Sequence, residues 1–209
     1  VPSFPLNPTG YIPGNGWRPL RKKEPYQRGW DVYDLQSKLN SVIAYGLVTD
    51  GIFGPATDQA VRRYQTSASL LVDGVAGTAT QTALTNAAAK KSKYPQRALG
   101  QIQKESSALC GIYTPQYPNG SFDTGPLQEN TQYHPDLGAN FHIVASLGIW
   151  EVYVYEYVKK YRSWGVPEDR CWAAAQGAWN NPSYADAYAR GRSVPQSFLD
   201  YIDDVTVYV

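Results

Sequence analysis

The 209 residues include no methionine, only two cysteines and only two histidines. Without methionine the chain has no initiator residue, as processing or trimming would leave it. Cys110 and Cys171 allow at most one disulfide, which is compatible with an extracellular destination but builds no disulfide framework. His134 and His142 are too few for the usual zinc-ligand clusters, so no metal site and no cofactor are expected. An excess of charge is lacking too: 19 Lys and Arg stand against 18 Asp and Glu. That balance favours neither a nucleic-acid partner nor a membrane-surface role. No apolar run is long enough to span a bilayer, and Val1-Pro2-Ser3 does not open a signal peptide. What is present is length enough for one or two domains with a real core. Tyr and Trp are abundant, and such rings both pack and stack on sugar faces. A monomer is expected.

Chemistry concentrates between Ile102 and Asn130. Ala98, Ile102, Glu105 and Leu109 follow the i, i+4, i+7, i+11 rhythm of a buried helical stripe, so Glu105 takes a slot suited to an apolar residue. Burial disfavours the charged form and raises a carboxyl pKa, as a general acid at neutral pH requires. The plainer reading is a solvated glutamate at a helix rim. A second carboxylate, Asp123, lies between Gly120 and Gly125, which permit a tight hairpin with Asp123 at the bend. Two carboxyl groups in different environments are the minimal set for cleaving a glycosidic bond. One protonates the leaving oxygen; the other stabilises the oxocarbenium-like centre, attacks it, or activates water. Ser121, Gln128 and Asn130 add neutral hydrogen-bonding groups suited to sugar hydroxyls. Glu151 and Glu156 are alternative second carboxylates, more simply read as solvated or capping side chains.

Around this stretch the chain divides into three. Residues 1–28 carry Pro2, Pro5, Pro8, Pro13, Pro19 and Pro25 and read as an extended arm, with Arg21-Lys22-Lys23 solvated and Tyr11 and Trp17 free to dock on a neighbour. Residues 29–93 read as a three-helix unit. Val32, Leu35, Leu39, Val42 and Ile43 space the first helix. Asp50-Gly51-Ile52-Phe53-Gly54-Pro55 and Asp73-Gly74-Val75-Ala76-Gly77-Thr78 then repeat a turn and a helix start. Tyr94-Pro95 breaks the chain and opens residues 94–209. There the longest helical pattern runs over 140–164, with Ile143, Leu147, Trp150, Val154, Tyr157 and Tyr161 on one stripe. Pro167-Glu168-Asp169 starts a helix through Cys171 to about Trp179, stopped by Asn180-Asn181-Pro182, and a last helix spans 195–209. The fold class is mainly α, with one short β-hairpin.

The three-helix unit from Gly29 to about Ala89 resembles the peptidoglycan-binding domain 1 family. The resemblance rests on Gly29, Val32, Leu35, Gln36, Leu39, Asp50-Gly51, Phe53-Gly54-Pro55, Thr57, Ala60-Val61, Tyr64-Gln65, Leu70, Asp73-Gly74, Gly77, Thr80 and Leu84. It implies a non-catalytic wall anchor in which Asp50, Gly51, Asp73 and Gly74 offer hydrogen bonds to glycan or stem peptide. Glu105-Ser106 followed by Gly120-Ser-Phe-Asp-Thr-Gly-Pro-Leu-Gln-Glu-Asn130 resembles the lysozyme and soluble lytic transglycosylase superfamily. That implies a lysozyme-like domain with Glu105 as general acid, Asp123 as second carboxylate and Ser106 at the substrate. Pro126 and Glu129 depart from the apolar residues usual in that hairpin. Trp179-Asn180 and Tyr201 resemble the Tyr-Asn pair and the later Tyr of lytic transglycosylases, and by that resemblance they bind substrate. A disulfide between Cys110 and Cys171 is expected if their helices pack together.

The pairing implies a bacteriolytic enzyme cutting the bond between N-acetylmuramic acid and N-acetylglucosamine, with bacterial peptidoglycan as its partner. It suggests a phage lysin released at lysis or carried on the virion, or a secreted autolysin. Three alternatives stand beside it: a lytic transglycosylase leaving 1,6-anhydro ends, a zinc peptidase on the same anchor, and a non-catalytic wall-binding or phage structural protein.

Overall fold

The computed structural model describes residues 18–106, 118, 123–124, 127–130, 132 and 143–207. Among the described residues the protein is mainly helical, with eight helices and one two-stranded hairpin. The first unit holds α1 (Trp30–Ile43), α2 (Pro55–Ser67) and α3 (Thr78–Ala89). Val32, Leu35 and Leu39 form a fully buried stripe on α1 and meet Phe53, Val61 and Leu84 in one core. Helix α1 stops at Ala44, which turns left-handed with φ 49° while its N–H donates to the Asn40 carbonyl at 3.0 Å. Helix α2 opens on Pro55, whose missing N–H would have had no helical partner there.

The repeat is built on two glutamines. Gln36 Nε2 donates to Asp50 Oδ1 (2.9 Å), the Ile52 carbonyl (3.1 Å) and Thr57 Oγ1 (3.0 Å), and its Oε1 accepts from the Gly51 N–H (2.8 Å). Gln65 does the same in the second copy, with Asp73 Oδ1 (2.8 Å), the Val75 carbonyl (3.0 Å), Thr80 Oγ1 (3.2 Å) and the Gly74 N–H (2.9 Å). Both amides are buried, so each satisfies a loop that the helices alone would leave unpaired. Gly74 has φ +73°, and a Cβ there would lie 2.5 Å from Asp58 and Arg62 atoms, so the Asp-Gly pair is a conformational requirement.

The described end of the arm is docked on the first unit. Leu20 is fully buried in the first core and exchanges two backbone hydrogen bonds with Ala76, at 3.2 and 2.8 Å. Arg18 pairs with Asp31 at 2.6 Å. Gln27 adds further ties, accepting from the Arg21 N–H at 2.6 Å and donating to the Pro19 carbonyl at 3.3 Å. Arg21, Lys22 and Lys23 are exposed; Tyr11 and Trp17 lie outside the described residues.

The second unit holds α4 (Pro95–Ser106), β1 (Asp123–Thr124), β2 (Glu129–Asn130), α5 (Ile143–Ser163), α6 (Glu168–Asn180), α7 (Pro182–Ala189) and α8 (Gln196–Thr206). Trp150, Val154, Val158 and Tyr161 form the fully buried stripe of α5; Tyr157, expected there, packs at its margin. Ala174, Ala175 and Ala178 let α6 lie close against it. Helix α7 is not expected from the sequence, where Asn181-Pro182 reads as a helix stop. The same residues also start a helix: Asn181 Oδ1 accepts from the Tyr184 N–H at 3.0 Å and Pro182 takes the first position. The two units touch. Val42 packs on both cores, Ala88 and Ala89 belong to the second, and Glu151 Oε1 accepts from Ser92 Oγ (2.6 Å) and the Lys93 N–H (2.9 Å). None of the described helices is long and apolar enough to cross a membrane.

Candidate active site

Helix α4 carries the site. Ala98 and Ile102 are fully buried on the expected stripe, and Glu105 follows one turn later, half-buried. Helix α8 runs beside α4 and brings Tyr201 to Glu105. The Tyr201 hydroxyl donates to Glu105 Oε1. Gln101, one turn before Glu105 and fully buried, donates through Nε2 to the same Oε1 at 3.1 Å and to the Tyr201 oxygen at 2.5 Å. Burial pushes the Glu105 carboxyl above the usual range. The hydrogen bonds from Tyr201 and then Gln101 pull the other way, the Asp123 charge pushes up, and Lys104 pulls down. Burial and the neighbouring carboxylate hold Tyr201 well above the usual phenol range, so it keeps its proton.

Helix α6 seats α8. Gln176, fully buried, donates to the Val205 carbonyl (3.1 Å) and the Arg97 carbonyl (3.3 Å) and accepts from Arg97 Nη1 (3.2 Å), tying α4, α6 and α8 together. Gly177 lets α8 approach closely: a Cβ there would lie 2.7 Å from Phe198 Cζ. Lys104 pairs with Asp204 at 2.6 Å on the surface above.

The second carboxylate sits on the hairpin, where Asp123 pairs with Asn130 and Thr124 with Glu129 in antiparallel register. Fully buried Leu127 roots the hairpin in the second core. The Trp179 indole N–H donates to the Leu127 carbonyl at 2.8 Å, and Trp179 stands edge-on to Tyr153 with centroids 5.2 Å apart. Trp179 therefore braces the hairpin, a role the expectation of substrate binding did not include. Gln128 is half-buried in a left-handed turn with φ 52°. Asn180 is exposed at the end of α6. Ser106 ends α4, but its side chain and that of Asn130 lie outside the described residues, as do Ser121, Cys110, His134 and His142. Cys171 is a buried free thiol donating to the Val166 carbonyl at 3.2 Å, in place of the expected bridge. Among the described residues no group of three or more His, Cys, Asp or Glu gathers to hold a metal. Glu151 caps the segment before α4, and Glu156 makes a surface pair with Lys159, so both follow the plainer reading.

At the first unit, Asp50 and Asp73 each use Oδ1 to accept from a buried glutamine and from the amide two residues on, Ile52 at 2.9 Å and Val75 at 2.8 Å. The Val75 amide first, then Gln65, hold the Asp73 carboxyl below the usual range. The fold thus gives both aspartates and both glycines a turn-forming job. This two-copy loop lies within the segment that matches a known family. Residues 28–84 match the family model described as "Putative peptidoglycan binding domain". The match supports a peptidoglycan-binding domain in the N-terminal half, and such a domain suggests an association with the cell wall. No curated protein and no solved structure matches the chain. Gln101, Leu127 and Asn181 were missed as functional or bracing residues. The signal for Gln101 was available: a polar side chain on the apolar stripe, four residues before the candidate acid.

Proposed function

We propose that the protein is a peptidoglycan glycosidase. In this reading the N-terminal unit, to residue 93, is the wall anchor and residues 94–209 are a lysozyme-like catalytic domain. The observation that carries it is Glu105: a carboxyl on a buried stripe, held by two donors and kept above its usual pKa. A carboxyl so placed keeps its proton to higher pH than a free glutamate does and can donate it to a leaving glycosidic oxygen. Asp123, whose charge Glu105 feels, serves as the second carboxylate at the anomeric carbon. Gln128, Asn130, Ser106, Ser121 and Asn180 are the neutral groups assigned to the sugar hydroxyls in this reading. Tethering through the peptidoglycan-binding domain raises the local concentration of catalytic domain at its substrate. A phage lysin or a secreted autolysin would pair modules in this way.

One observation favours a second chemistry. Tyr201 on Glu105 matches the later tyrosine of lytic transglycosylases, in which one glutamate is acid and then base and the product is a 1,6-anhydro sugar. Hydrolysis remains the reading, because Asp123 has a defined task in it. The test is Glu105→Gln assayed in a zymogram alongside sedimentation with cell walls. Loss of lysis with retained wall binding supports the proposal; substantial residual turnover sinks it.

A further inference from the structure

Gln101 is an anomaly that the core does not explain. It is fully buried on the stripe of Ala98 and Ile102, where an apolar side chain of similar size would pack. Its Nε2 serves two acceptors, Glu105 Oε1 and the Tyr201 oxygen, while its own Oε1 is buried with no partner among the described residues. A half-satisfied buried amide is unfavourable for stability. Its orientation is also constrained: only the N–H end can face an ionised carboxylate oxygen.

We propose that Gln101 is a positioning residue for Glu105, which orders the Tyr201 hydroxyl as a donor to Oε1 and leaves Oε2 as the oxygen that carries the transferable proton. This rests on the reading of Glu105 as the acid. The hydrogen-bond inventory makes the case. Tyr201 has one proton, and its oxygen accepts from Gln101, so that proton points away from Gln101 to Glu105. Oε1 then accepts twice and is a poor site for the acid's own proton. The proton sits on Oε2 and leaves from there to the glycosidic oxygen, and the carboxylate that forms finds two donors already aimed at it. Both donors favour the ionised form and so offset part of the upward push of burial.

The test uses the full chain with Gln101→Leu. The expected protein folds with an unchanged or higher Tm, because an orphaned amide oxygen is gone, while kcat on purified peptidoglycan falls roughly tenfold to a hundredfold at similar KM. The alkaline limb of its pH profile moves to higher pH. Independently of activity, 13C NMR of carboxyl-labelled glutamate, with the Glu105 signal assigned by its loss in Glu105→Gln, shows Glu105 titrating at higher pH in the variant. If Gln101→Leu does not fold, Gln101→Met, unbranched and donor-free, gives the same readings. An unmoved limb and an unmoved Glu105 resonance would overturn the proposal while leaving the glycosidase reading intact. A wild-type protein that leaves every glycan uncut sinks the glycosidase reading, and the proton-placing role with it, whatever the titration shows.

Discussion

Replacing Gly177 by alanine tests how α8 delivers Tyr201. The new Cβ would meet Phe198 Cζ at 2.7 Å and Phe198 Cε2 and Ile202 Cγ1 at 3.2 Å. Carbon atoms pack best at about 3.5–4.0 Å, so relief needs a movement of roughly 1 Å. Phe198 has little room to supply it. It is 2% exposed and stands edge-on to Tyr184 and Tyr188, with centroids 5.7 and 6.4 Å away. Helix α8 must move instead, and Tyr201 lies one turn further along it. Overpacking of this kind costs about 1–3 kcal/mol, and the better helix propensity of alanine returns about 1 kcal/mol. The net loss is roughly 0–2 kcal/mol, a Tm lower by up to about 8 °C. Activity should suffer more than stability, since a 1 Å displacement at a catalytic group can cost on the order of a hundredfold. Thermal melts by circular dichroism and wall clearance at a temperature where both proteins are folded give the two numbers. A variant with a raised Tm and full activity would refute the account of α8.

Glu105→Gln should stabilise the protein in a pH-dependent way. The folded carboxyl titrates above its unfolded value, so its ionisation cost is absent below the unfolded pKa and grows as pH rises through the folded pKa. The Tm difference between variant and wild type should therefore widen from acid to neutral pH; a difference flat with pH would contradict the burial argument. Gln36→Leu and Gln65→Leu should each destabilise the anchor by about 1–3 kcal/mol for each buried loop group left unpaired, with loss of wall sedimentation; a stable, wall-binding variant would show that the loops hold without them. A chain beginning at residue 94 loses Ala88, Ala89 and the Ser92–Glu151 bond, so it should melt lower than the second unit does in the full chain. A titration of denatured, unreduced protein should find two thiols, as the free Cys171 implies.

Much of the fold was legible because it rests on periodicity. The α1 stripe and the Glu105 stripe are apolar residues at helical spacing, and the Asp-Gly repeat is a turn that glycine alone fits. What escaped notice depends on contacts distant in sequence or on residues with two jobs. Gln36 and Gln65 were visible as matching positions, but their hydrogen bonds reach loops 14 and 8 residues away. Leu20 docks on Ala76 across the whole first unit, so its proline-rich surroundings read as a free arm. Asn181 both follows one helix and caps the next. Within the candidate site, Glu105 and the hairpin came from local pattern. Tyr201 came from resemblance, and Gln101 needed the geometry of α4 against α8.

The central claim is that Glu105 acts as the acid of a peptidoglycan glycosidase, and product analysis tests it most directly. Purified peptidoglycan is digested with the wild-type protein, Glu105→Gln and Asp123→Asn, and the fragments are weighed by mass spectrometry. Reducing N-acetylmuramic acid ends are expected from the wild type and none from Glu105→Gln. Turnover in Asp123→Asn should fall roughly a hundredfold, as for a positioned catalytic group. Anhydro ends from a nearly active Asp123→Asn would replace hydrolysis by transglycosylation. Intact glycan strands after digestion with the wild type would contradict the claim outright.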